Sequence, residues 1–149
     1  MIDKNFDPWK RVREFNPEAL LQESSDLVQW PIKLYKAPKL SPYYHHGHLL
    51  IAADCTAYAY GNFHRDFIRG RVTVIGCPKL DATEYAEKLT QILEQNSVKS
   101  VTLTRMFVPC CGGMEYAVYQ AIAACGRDLP LRVVTIGADG AILSDEKKA

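Results

Sequence analysis

The chain has 149 residues, of which 48% are hydrophobic and 23% charged, the composition of one ordinary globular domain and not of a disordered or collagen-like chain. Eighteen basic against seventeen acidic residues leave a formal net charge of +1, which argues against a nucleic-acid binder that works through bulk positive charge. No apolar run approaches the roughly 20 residues of a membrane helix, and the charged opening Met1–Lys10, broken by Pro8, does not read as a secretory signal; a cytoplasmic protein is expected.

Pro8, Pro17, Pro31, Pro38 and Pro42 punctuate the first part of the chain. Asn16 followed by Pro17 reads as the cap and first turn of a short helix. Gln29–Lys36, with Trp30, Ile32 and Leu34 alternating around Pro31, reads as an edge strand, since proline cannot sit in a central one. Residues 1–46 are therefore expected to form an irregular arm packed on the body, and residues 47–149 the domain proper.

From His48 the pattern is regular. His48–Asp54 is a nearly continuous apolar run, as in a strand buried on both faces. Asn62–Arg69 reads as a short crossover helix with Phe63 and Phe67 inward, and Arg71–Gly76 as a second strand. Asp81 with Glu84 three residues on has the form of a capping box, opening a helix whose Tyr85, Leu89, Ile92 and Leu93 make one stripe. Ser100–Val108 is a third strand. Met114, Ala117, Val118, Ala121, Ile122 and Cys125 form a second helical stripe, stopped by Gly126, and Leu131–Gly137 is a fourth strand. Strands alternating with helices predict a single α/β domain: a mainly parallel sheet of about four to five strands with crossover helices.

The cysteines carry the chemistry. Taken singly, each is best read as a small buried hydrophobe, but their placement is not scattered. Cys55 follows the first of these strands, Cys77 the second, and Cys110 and Cys111 the third. Ligands of open parallel sheets gather outside the carboxyl ends of the strands, so four thiols are expected at one edge, as metal ligands before disulfides in a reducing compartment. In Val108-Pro109-Cys110-Cys111-Gly112-Gly113 the glycines precede a helix whose N-terminal dipole favours thiolates. Cys125 continues a core stripe and is read as core. His64, in the first turn of the short helix, is the best non-cysteine candidate: a fourth ligand, a proton donor or a solvated residue. Tyr58 and Tyr60 are read as walls of the site or core, and Asp54 as a hydrogen-bond acceptor behind the ligands. His45, His46 and His48 precede the strand and belong to the opposite edge.

Leu49–Tyr60, Asn62–Phe67, Ile75–Asp81 and Val108–Gly113, together with Gln29-Trp30-Pro31, resemble the non-ferredoxin portion of iron–sulfur proteins of anaerobic bacteria and archaea, the 4Fe-4S ferredoxin-type proteins; the likeness runs from about residue 29 to 143. In that family this portion commonly accompanies a ferredoxin domain, whereas this sequence has no C-x-x-C-x-x-C run. Cys77 and the Cys110–Cys111 pair are also spaced like the first half of the cysteine-rich CCG pattern of heterodisulfide reductases, without its later C-x-x-C.

Four thiolates suit an iron–sulfur cluster or a structural zinc. Adjacent cysteines project in different directions, which a multi-iron cluster accommodates more easily than one tetrahedral ion. The expected function is therefore a redox or electron-transfer module holding an iron–sulfur cluster through Cys55, Cys77, Cys110 and Cys111, with His64 a further candidate ligand. The resemblance implies a ferredoxin-type redox partner, and Trp30 and Tyr35 in the arm are compatible with a homo-oligomer. The alternatives are zinc held by Cys55, Cys77, one cysteine of the pair and His64 or an activated water, as in a hydrolase or lyase, and a metal-free dithiol redox protein. The C-x-D-x-R and H-x-x-C patterns of β-type carbonic anhydrases are missing, and no glycine-rich phosphate fingerprint is present.

Overall fold

The computed structural model describes residues 23–77 and 84–148. The apolar runs become four parallel strands, β1 (His48–Ala53), β2 (Val72–Gly76), β3 (Ser100–Met106) and β4 (Leu131–Ile136), with β5 (Ile142–Lys148) antiparallel to β4. Side by side they run β2-β1-β3-β4-β5. Every residue of β1 after His48 is buried, because a strand flanked by two neighbours and covered on both faces has no solvent side. Leu49 lies opposite Val72 and Ala53 opposite Gly76 on one flank; His48 to Ala52 lie opposite Ser100 to Thr104 on the other.

The two faces are covered unequally. Between β1 and β2 the chain makes only the four-residue helix α1 (Thr56–Ala59) and a π-helical turn at His64–Ile68. Phe63 and Phe67 point inward as expected, into an apolar layer with Leu50, Ala52, Met106, Val134 and Ile136. The other face carries α2 (Tyr85–Gln95) and α3 (Gly112–Cys125), whose buried residues belong to the two stripes legible in the sequence, packed on Leu49, Ile51, Val101 and Leu103, with Ile122 and Cys125 of the second stripe only partly buried. Gly126 closes α3 with φ 72°, the left-handed conformation that favours glycine.

Three local readings need correction or fall elsewhere. Gln29–Lys36 is not a strand. Only Lys33 bridges to Ile75: Leu34 N–H donates to the Ile75 carbonyl at 2.8 Å, Ile75 N–H donates to the Ile32 carbonyl at 2.7 Å, and the chain then turns, Lys36 and Ala37 bonding back to Lys33. Pro31 brings no N–H to a longer ladder, and Trp30 is 63% exposed. Glu84 occupies the N-cap position of α2 and makes no capping bond, so the helix starts later than a capping box would place it. Asp81, Asn16 and Pro17 lie outside the described residues.

Within residues 23–46, Leu34, Ala37 and Tyr44 join the α2–α3 core layer. The Asn96 side chain ties this segment to the end of α2, donating to the Lys39 carbonyl at 2.8 Å and accepting from Ser41 N–H at 3.3 Å. β5 is exposed along most of its length and is held by main-chain pairing and by a two-pronged Arg132–Asp145 contact at 2.9 and 2.8 Å. No helix among the described residues is long and apolar enough to cross a membrane.

Candidate functional site

Strand order decides which cysteines are neighbours. β2, β1 and β3 are contiguous and parallel, so Cys77, Cys55 and the Cys110–Cys111 pair follow one another along a single sheet edge. The winding also reverses there. The β1–β2 crossover lies on one face and α2, between β2 and β3, on the other, which makes the ends of β1 and β3 the switch point where open α/β sheets bind ligands.

Cys55 is exposed and occupies the N-cap position of α1. Two anchors fix its turn. Asp54 N–H donates to the Gly76 carbonyl at 3.1 Å, and the wholly buried Thr56 donates its hydroxyl to the Ala53 carbonyl at 2.7 Å while lying 3.0 Å from Thr104 Oγ1 on β3. Asp54 itself receives Lys33 Nζ on Oδ2 at 2.8 Å, and its buried Oδ1 has no hydrogen-bond partner among the described residues.

Cys77 is half-buried. Its N–H donates to the Tyr85 hydroxyl at 2.9 Å, and that hydroxyl occupies the space beside Gly76, where a Cβ would stand 2.5 Å from it. Glycine is thus required at the end of β2 so that α2 can reach over and hold the backbone of the next residue.

The vicinal pair divides. Pro109–Cys111 form a 3-10 turn that runs straight into α3; Cys110 is exposed and Cys111 is buried. Cys111 packs in the apolar layer with Phe63, Met106 and Val134. Burial pushes its thiol above the ordinary cysteine value, opposed by a backbone hydrogen bond at Met106 and by the nearby Arg105 charge.

The remaining candidates lie apart from one another. His64 is exposed, and its Nδ1 accepts the Asp26 N–H at 3.2 Å, so the imidazole is tied to the N-terminal segment. Tyr58 is 94% exposed and walls neither site nor core. Tyr60 packs edge-on against Phe67 and donates to Asp66 at 2.6 Å. Cys125 flanks the core and donates to the Ile122 carbonyl at 3.1 Å, as its stripe position implies. His45, His46 and His48 are exposed, His48 opening β1 at the far edge. Among the described residues, no three His, Cys, Asp or Glu side chains are gathered closely enough to hold a metal ion. The fold aligns the cysteine-bearing strand ends; it does not draw the sulfurs of Cys55, Cys77, Cys110 and Cys111 with His64 into a closed ligand set.

Four contributors escape a reading of the sequence: Lys33, Tyr85, Thr104 and Arg105. Arg105 alone leaves a signal, as the one charged residue in an otherwise neutral β3. Lys33 and Thr104 act through partners distant in the chain, and Tyr85, legible only as a core residue of its stripe, through the backbone of Cys77 eight residues before it.

An uncharacterized protein of Archaeoglobus fulgidus is 27% identical to this chain over 124 residues, covering 83% of this chain and 87% of that protein. No solved structure matches at a significant level. Residues 41–149 match the Rossmann-like domain, and with its mainly parallel sheet and helices on both faces the chain belongs to the Rossmann-like domain family.

Proposed function

We propose that this domain holds a metal centre at the C-terminal edge of its sheet, an iron–sulfur cluster with zinc as the alternative, and serves as a cytoplasmic redox or electron-transfer module. The observation that carries the reading is the order β2-β1-β3: it puts Cys77 and Cys55 just past two adjacent strand ends and Cys110 in the turn that follows the third, on strands about 4.8 Å apart. Thiols are donors that both centres accept, and Cys55 and Cys110 are exposed to solvent. Cys111 and His64 would need larger rearrangement to join them. A bound cluster would supply reversible one-electron transfer.

The usual Rossmann ligand finds little support. A dinucleotide needs a glycine-rich turn after β1 leading to a long helix whose N-terminus faces the pyrophosphate. Here Ala53-Asp54-Cys55-Thr56 lead to a four-residue helix, and the Thr56–Thr104 contact fills the switch point. The likeness of residues 29–143 to iron–sulfur proteins points to the same centre and to a ferredoxin-type partner.

Anaerobic purification followed by incubation with ferrous iron and sulfide tests the proposal. A brown protein with visible absorbance and bound iron and sulfide supports it. Colourless protein with stoichiometric zinc replaces the cluster by the alternative centre. A protein that retains neither metal overturns the metal reading and leaves a dithiol protein.

A further inference from the structure

We infer that Arg105 is the positioning residue of the thiol edge: it sets the turn after β3 so that Cys110 faces solvent and Cys111 stays in the apolar layer. Arg105 stands one residue before the end of β3, with only 16% of its side chain exposed. Its Nε donates to the Met106 carbonyl at 3.2 Å, Nη2 donates to the Val108 carbonyl at 3.2 Å, and Nη1 reaches Glu115 Oε1 in the first turn of α3 at 3.5 Å. The Val108 carbonyl also accepts the Cys111 N–H at 3.2 Å. One oxygen therefore joins the guanidinium to the backbone of the buried cysteine. The contacts reach both sides of the pair, the strand that delivers it and the helix that follows.

Only a guanidinium does this. Its planar fork presents several donors in fixed directions, whereas a lysine ammonium is a single point with no such geometry. The rest of the turn is held through main-chain bonds, Phe107 N–H donating to the Ile136 carbonyl at 3.1 Å, while the 3-10 segment has no side-chain cap and Pro109 donates no N–H; Arg105 is the side chain that ties the Met106 and Val108 carbonyls together. On the metal-centre reading, on which its purpose rests, Arg105 makes the vicinal pair contribute one thiol to the centre and not two. The positioning itself belongs to the metal-free chain and is tested there.

The experiment is site-resolved alkylation of the full, reduced, metal-free chain with N-ethylmaleimide, each cysteine followed by mass spectrometry. In the parent protein Cys110 reacts roughly tenfold or more faster than Cys111, as accessibility dictates. In Arg105→Lys, and in Arg105→Gln without the charge, the ratio falls by at least about fivefold because Cys111 gains access through a looser turn, while Cys55 and Cys125 keep their parent rates. Glu115→Gln, which retains both carbonyl contacts, keeps the parent ratio. General loosening of the fold would raise half-buried Cys125 along with Cys111, and that outcome overturns the inference. So does a Cys111 that stays protected in both Arg105 variants, or that reacts as fast as Cys110 in the parent. Failure of the protein to take up iron or zinc would leave this ratio untouched, so the two readings fail separately.

Discussion

Thr56 on the turn after β1 and Thr104 on β3 meet hydroxyl to hydroxyl at 3.0 Å, both shielded from water. Thr56 spends its single proton on the Ala53 carbonyl, so Thr104 must be the donor between the two. The contact ties the end of β1 to β3 one residue from Cys55.

That chain of bonds fixes a ranking. Thr56→Val removes the donor to Ala53 and leaves the Thr104 hydroxyl unpaired, at a cost of about 2 kcal/mol; Thr104→Val removes one bond and costs about 1 kcal/mol. Urea unfolding of the two variants checks the order. Equal costs would mean that the Ala53 bond contributes nothing.

Gly76→Ala tests the reach of α2 over the end of β2. The new Cβ would meet the Tyr85 hydroxyl at 2.5 Å and its ring carbon at 2.7 Å, so the ring must move and release the Cys77 N–H. A loss of about 1–3 kcal/mol is expected from such overpacking, against about 1 kcal/mol for the Cys77 hydrogen bond that Tyr85→Phe removes while leaving the ring in place. Thermal unfolding of both variants reads the difference.

Cys77→Ser is expected to lose most of the metal bound after reconstitution, whereas Cys125→Ser keeps it. The first ends a strand at the thiol edge, and the second lies on the core side of α3 with its thiol bonded to its own helix. Elemental analysis of the two proteins decides. Equal metal content would contradict the assignment of Cys77.

The β4–β5 pair carries a pH signature. Hydrogen bonding from Arg132 holds the Asp145 carboxyl below its ordinary range, with the guanidinium charge adding to it. A carboxylate lowered in the folded state stabilises above its unfolded value, about 3.9, and that contribution disappears as pH falls through the folded value. The carboxylate is 40% exposed, so solvent screening limits the effect to about 0.5 kcal/mol. Asp145→Asn should therefore melt slightly below the parent at pH 7 and match it near pH 2, the gap at pH 7 shrinking in high salt.

How much of this could be read from the residues follows from where each buries its surface. β1 announces itself because a strand covered on both faces is apolar nearly throughout, and β4 does so through Leu131, Val133, Val134 and Ile136, with Arg132 and Thr135 only half-buried. The stripes of α2 and α3 are legible for the corresponding reason, one apolar side repeated at helical spacing. β5 is nearly silent: Ser144 to Lys148 are polar and their strand has solvent around it, so pairing with β4 and the Arg132 contact do the work of a pattern. Gln29–Lys36 misleads in the opposite sense, since Trp30, Ile32 and Leu34 alternate while the backbone turns after a single bridge. The cysteines at strand ends are visible in one dimension. That Cys55 stands between Cys77 and Cys110 is not, because several strand orders would bury the same faces equally well.

The bridge at Lys33 has an implication for how the domain behaves in a crowded solution. The same residue masks the outer border of β2 through its backbone neighbours and, through its ammonium, neutralises the acid adjoining Cys55. Peeling away that short stretch would at once bare an unpaired sheet margin, prone to self-association, and take the Lys33 ammonium away from the carboxylate that adjoins the exposed Cys55. Strand-edge cover and the charge balance beside Cys55 thus meet at one residue, the first through the main chain on either side of it and the second through its side chain.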